Sequence, residues 1–158
     1  MAISEARRPE TAVGERPARA TRDRLAGRLG LSVPHEWWPS PPLLKSYEAA
    51  GFAWVQLHAP PATVLADPRR CIRHAAAARA SLATTGLGAV LHAPGGLRAG
   101  EPAGDRAFEG LLSYAAEAGA AQVVYHAMAL PEGPATESAL AAEARSLAAF
   151  ASVAERLE

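Results

Sequence analysis

The sequence predicts an α/β fold: four strand–helix units whose strands form one parallel sheet, curved as part of a barrel. Three observations predict it. Apolar, β-prone runs end in histidine at Val55-Gln56-Leu57-His58-Ala59-Pro60, Val90-Leu91-His92-Ala93-Pro94 and Val123-Val124-Tyr125-His126-Ala127, and these histidines are each 34 residues apart. A fixed period of that size marks a repeated supersecondary unit. Helices alternate with the strands, which is the pattern of right-handed βαβ units in a parallel sheet. Finally, Gln56 and Gln122 lie on the same strand faces as the histidines. Polar groups there suit the inside of a barrel better than a surface beneath helices.

In chain order, residues 1–27 stand apart. They carry Arg7, Arg8, Arg16, Arg19, Arg22 and Arg24 among Ala, Glu and Pro, with few large apolar side chains. Such a segment buries too little surface to offset its ordering entropy, so a disordered leader is expected. The folded domain is expected from 28 to 158. Leu29, Leu31 and Val33 alternate as a first strand that stops at Pro34. After the loop His35 to Pro39, Ser40 before Pro41 and Pro42 starts a helix that Gly51 caps. Phe52 to His58 is the second strand.

The pattern then recurs. Asp67-Pro68 opens a second helix, closed by Gly86, and Leu87 to His92 is the third strand. Asp105 opens a third helix, closed by Gly119, and Ala121 to His126 is the fourth strand. Thr136 or Glu137 opens a last helix, in which Leu140, Ala144, Leu147, Ala151, Ala154 and Leu157 keep a helical period. Helix-to-strand turns are one or two residues long, whereas the strand-to-helix loops 59–66, 93–104 and 127–135 are long. Ligands of barrels and open α/β sheets bind at that carboxyl end, where all three histidines lie.

Bulk properties narrow the function. The chain has 158 residues, of which 49% are apolar, enough for one domain with a core. Sixteen basic and sixteen acidic residues cancel. That balance argues against nucleic acid or an anionic membrane as partner. The single cysteine, Cys71, can form no internal disulfide and points to a reducing cytoplasm. No apolar run reaches the roughly 20 residues of a spanning helix.

Histidines at one level on neighbouring strands, about 4.8 Å apart, could line a cleft as metal ligands or acid/base groups. The bland reading of each is a strand cap bonded to backbone. Trp37 and Trp38 are either an aromatic wall for a sugar or a plug in the barrel mouth. His74, in an alanine-rich helix, is expected to face solvent. Gly95-Gly96 and Gly100 form no phosphate-binding motif, and Cys71 has no adjacent base.

Gly51-Phe52-Ala53-Trp54-Val55-Gln56-Leu57-His58, the His92-Ala93-Pro94 turn, and Leu112 to Ala120 leading into Val123-Val124-Tyr125-His126 resemble the xylose isomerase-like barrel superfamily. That group holds sugar-phosphate isomerases and epimerases and the endonuclease IV type of apurinic endonuclease. The resemblance runs from about Arg28 to Glu158 and implies the N-terminal half of a TIM-type barrel, an incomplete barrel of four units. By that resemblance His92 and His126 are candidate metal ligands, and His58, Gln56, His35 and Trp37 shape a substrate pocket. The expected cofactor is a divalent metal (Zn, Mn or Mg), held in a longer parent protein with carboxylates from the missing half. The expected activity is isomerisation or epimerisation of a small sugar or sugar phosphate, with this chain inactive alone. The alternatives are an apurinic endonuclease-like phosphodiesterase, or a non-catalytic half-barrel that forms a homodimer through its exposed strand edges.

Overall fold

The computed structural model describes residues 27–127 and 135–157. The expected leader, as far as residue 26, and most of the loop after the fourth strand lie outside the described residues. Strands β1 (Gly30–Ser32), β2 (Trp54–His58), β3 (Gly88–His92) and β4 (Ala120–Val124) form one sheet in the order β1-β2-β3-β4. All three pairings are parallel. The helices are α1 (Pro41–Ala49), α2 (Ala62–Leu65), α3 (Pro68–Leu82), α4 (Pro102–Ala118) and α5 (Ala135–Ala154). The fold is therefore α/β with interleaved helices, as the repeat predicts.

Period-two alternation decides which side chains reach the core. Val55, Leu57, Ala89 and Leu91 are buried together with Leu44 of α1, Leu65 of α2, Ala75 of α3 and Leu111 of α4. The alternate residues Trp54, Gln56, His58, Val90 and His92 are only half-buried. The described helices thus cover one face, and among the described residues no helix covers the histidine-bearing face. Each fully buried leucine contributes roughly 1.5–3 kcal/mol, so this one-sided core holds the sheet.

Helix boundaries follow local chemistry, with departures from the sequence reading. Asp67 caps α3 as expected, its Oδ1 accepting from the Arg69 and Arg70 amides at 3.0 and 3.1 Å. Gly86 does not close α3. Thr84 and Thr85 do, their hydroxyls donating to the Ser81 and Leu82 carbonyls at 2.8 and 3.0 Å. The third long helix, α4, starts at Pro102 rather than at Asp105, because proline suits the first helical turn. Asp105 lies inside that turn and accepts from the Gly100 amide at 2.8 Å. Gly119 closes α4 in the left-handed conformation (φ 76°), as expected. The short helix α2 has no counterpart in the sequence reading. Gly110 of α4 makes it possible, since a side chain there would collide with the Leu65 carbonyl.

One irregularity matters for the site. Between β3 and β4 the register shifts: Ala89 pairs with Ala120, but Val90 pairs with Gln122. Ala121 is the extra residue of a β-bulge. His92 consequently pairs with Val124, and His126 lies two residues beyond the strand pairing. The expectation that three histidines share one level holds for His58 and His92, which are register partners, and fails for His126. The sequence period is 34 residues, whereas the β3–β4 pairing offset is 31 before the bulge and 32 after it, so a residue 34 beyond His92 overshoots its level.

Candidate functional site

The carboxyl ends of the strands carry a row of four imidazoles. His35 follows β1, His58 and His92 end β2 and β3, and His126 follows β4. Successive ring centroids are 5.3 Å (His35–His58), 5.2 Å (His58–His92) and 4.9 Å (His92–His126) apart. The sheet creates this spacing. Neighbouring parallel strands are about 4.8 Å apart, so equivalent positions repeat at that interval.

Hydrogen bonds orient two of the rings. His92 Nδ1 lies 2.8 Å from the Ala93 carbonyl oxygen. A carbonyl only accepts, so the neutral ring carries its hydrogen on Nδ1 and leaves the Nε2 lone pair available. His58 Nε2 lies 3.3 Å from the Ser32 hydroxyl, which also accepts from Gln56 Nε2 at 3.4 Å. Burial holds the His58 pKa below the usual histidine value, and the neighbouring His92 and His35 push it the same way against the weaker pull of Glu36. His58 is therefore neutral at pH 7, able to accept or to donate one proton.

Around this row lie two depressions. One, of about 310 Å³, includes His35, Glu36, Trp37, Trp38, His58 and His74 in its lining. The other, of about 740 Å³, follows the open sheet face past Ser32, Trp54, Gln56, Val90 and Gln122. Trp54 floors it. Its Nε1 donates to the Gly27 carbonyl at 3.0 Å, and its ring lies so close to Gly88 that an added Cβ would meet it at 2.5 Å.

The structure thus brings His35, His58, His92 and His126 into one file, with Gln56 on the His58 face of β2 and Trp37 beside His35 and His58 in the smaller depression. It corrects the reading of His74. That residue is half-buried, with Nδ1 2.9 Å from the Tyr114 hydroxyl and Trp38 edge-on at 4.9 Å. The signal was present in the sequence: position 74 shares a helical face with Cys71, Ala75 and Ala78, all buried. Burial lowers the His74 pKa and, with Cys71 nearby, pushes the Tyr114 hydroxyl up to about 12. Ser32 and Glu36 were also missed, because their roles depend on which strands are neighbours.

A second polar cluster ties the loop after β3 to α5. Tyr125 donates to Glu143 Oε1 at 2.6 Å and accepts from the Ala99 amide at 3.3 Å. Ser146 donates to Asp105 Oδ2 at 3.2 Å. These bonds tie Ala99 and Gly100 of that loop, through Tyr125 and Asp105, to α5.

Among the described residues, no group of three or more His, Cys, Asp or Glu side chains could hold a metal ion. The imidazoles stand in file rather than around a point. Catalytic zinc takes three protein ligands, and magnesium or manganese prefers carboxylates, so the described side chains do not make a complete metal site. No helix of the described residues is long and apolar enough to cross a membrane. No family model, curated protein or solved structure matches the chain.

Proposed function

We propose that this chain carries one side of a polyol-binding site of the sugar isomerase or epimerase type, formed on half of a TIM-type barrel. The observation that carries the proposal is the row His35–His58–His92–His126 along the carboxyl ends of parallel strands. The resemblance of the strand sequences to the xylose isomerase-like group supports the same reading.

In this reading a small sugar or sugar phosphate lies along the row. The imidazoles hydrogen-bond to its hydroxyls, and Trp37 offers an apolar face to its C–H groups. His58, kept neutral by burial, exchanges a proton with a hydroxyl beside the reacting carbon. Gln56 and Ser32 steady His58 through their shared hydrogen bonds. A divalent ion, if held there, would supply polarisation of the sugar oxygens. Here His92 and His126 would provide two of its ligands, with the remaining donors coming from outside the described residues.

Titration of the ¹⁵N-labelled chain with a panel of pentoses, hexoses and their phosphates, with and without Zn²⁺ or Mn²⁺, tests the proposal. Binding should shift the imidazole resonances of His58 and His92, and His58→Ala should weaken it roughly ten-fold or more. If no sugar in the panel moves these resonances, the proposal is wrong.

A further inference from the structure

We infer that the smaller depression, between the loops after β1 and β2, binds a small alkylated ammonium ion. Its volume is about 310 Å³, at the lower end of the range of small-molecule sites. Glu36, Trp37 and Trp38 line it from the loop after β1, and His74 and Tyr114 line it from α3 and α4. The walls are aromatic and apolar with a few polar groups, which is the make-up of such sites.

The donors disfavour an anion. Phosphates and carboxylates are held by Arg or Lys side chains, or by free N–H groups at helix N-termini. Among the described residues, neither lysine nor arginine lines this depression. Backbone donors are scarce as well. Helix α1 begins Pro41-Pro42, so its first two positions carry no N–H. Pro39, Pro60 and Pro61 of the lining have none either. The Trp37 and Ser40 amides already donate to the Pro34 and Trp38 carbonyls at 2.9 and 2.7 Å, and the Ala59 amide donates to the His92 carbonyl at 2.9 Å.

What remains suits a cation. Glu36 is the one carboxylate among the described lining residues, and its charge reaches His58, where it works against the groups that lower the His58 pKa. Burial lowers the pKa of both His58 and His74, so neither brings a positive charge at neutral pH. Indole is the best aromatic face for a cation, which it attracts within about 6 Å of the ring centroid. Trp37 and Trp38 are both exposed and can be reached by a ligand. Trp38 is also held in place: its ring lies edge-on to His74 with centroids 4.9 Å apart, and His74 is bonded to Tyr114. Alkyl groups on the ammonium meet Val33, Leu57 and Pro61 of the same lining. A bare ammonium keeps its water more tightly and gains less from such walls.

Titration of the ¹⁵N-labelled full chain with choline, and with its neutral isostere 3,3-dimethylbutan-1-ol, tests the inference. Choline should shift the indole N–H resonances of Trp37 and Trp38, and the neutral isostere should bind roughly ten-fold or more weakly. This comparison uses the unaltered chain, so it stands whether or not a variant folds. Glu36→Gln should weaken choline roughly ten-fold or more and leave the isostere unaffected. Glu101→Gln, which removes an exposed carboxylate outside the depression, should leave choline binding unchanged. Choline that shifts neither indole overturns the inference. So does equal binding of choline and its isostere, an equal loss in the two glutamate variants, or capture by phosphatidylcholine vesicles without binding of free choline. The inference shares His58 and Trp37 with the polyol reading but does not rest on it. A chain that binds sugars and not choline defeats this inference alone, and one that binds choline and no sugar defeats the functional proposal alone.

Discussion

His58 and His92 are register partners on adjacent parallel strands, and their ring centroids lie 5.2 Å apart. Two imidazoles this close repel when both are protonated, and His92 is one of the groups that lower the His58 pKa. Replacing His92 by Gln removes that repulsion, so the His58 pKa should rise toward the ordinary histidine value. Burial, the largest cause, remains, and the recovery should be partial. A ¹H–¹³C NMR titration of the His58 ring from pH 4 to pH 9 reads this directly. An unchanged or lower pKa in the variant would refute the coupling.

The same shift fixes the sign of the pH dependence of folding. His58 and His74 have lower pKa values folded than unfolded. The unfolded chain then binds more protons as pH falls below about 6.5, and stability declines with it. Their contribution is fully present above that pH and is lost as pH falls through the folded values. Urea unfolding midpoints measured between pH 8 and pH 4.5 should fall, and His58→Gln should make the decline shallower. A variant with an unaltered slope would contradict this assignment.

Tyr114 reports on the opposite end of the pH scale. Its hydroxyl, 2% exposed as a residue and bonded to His74, has a pKa pushed up to about 12 from an ordinary 10. A raised folded pKa means stability that is complete below pH 10 and lost as pH rises toward 12. Tyr114→Phe should remove that alkaline loss and, by breaking the hydrogen bond to His74, cost about 1 kcal/mol at pH 7. Thermal denaturation of both proteins at pH 7 and pH 10.5 separates the two effects.

Gly110 sits inside α4, where alanine would ordinarily add about 1 kcal/mol of helix propensity. Here the sign should reverse. A methyl group at 110 would run into the Leu65 carbonyl, which belongs to backbone and cannot swing aside. Gly110→Ala should therefore destabilise the chain by about 1–3 kcal/mol. Chemical denaturation that found the variant as stable as the parent would show that α2 can move away from α4.

Punctuation made most of the fold readable in advance. Proline after Ser40 and Asp67, and glycine at 51 and 119, mark helix limits that the structure keeps, and alternation such as Val55-Gln56-Leu57-His58 marks both strand and buried face. The misreadings have physical causes. Gly86 is preceded by two threonines whose hydroxyls cap α3 first, and composition alone does not rank the competitors. The stretch Ala118 to Ala121 is nearly uniform in side chain, so no pattern showed that one of its residues would bulge. His74 and Tyr114 are 40 residues apart, and only the packing of α3 on α4 makes them partners. Three members of the imidazole row were legible because each ends a repeated apolar run, whereas His35 was read only as a pocket residue; the supporting Ser32 was not legible, because a serine on a three-residue strand carries no signature.

The unpaired Ala121 sets the reach of the row. It advances the β4 register by one residue, so His126 lies two residues beyond the level of His92, where an unbroken ladder would place it three beyond. That slip keeps the fourth imidazole beside the third, with 4.9 Å between their ring centroids.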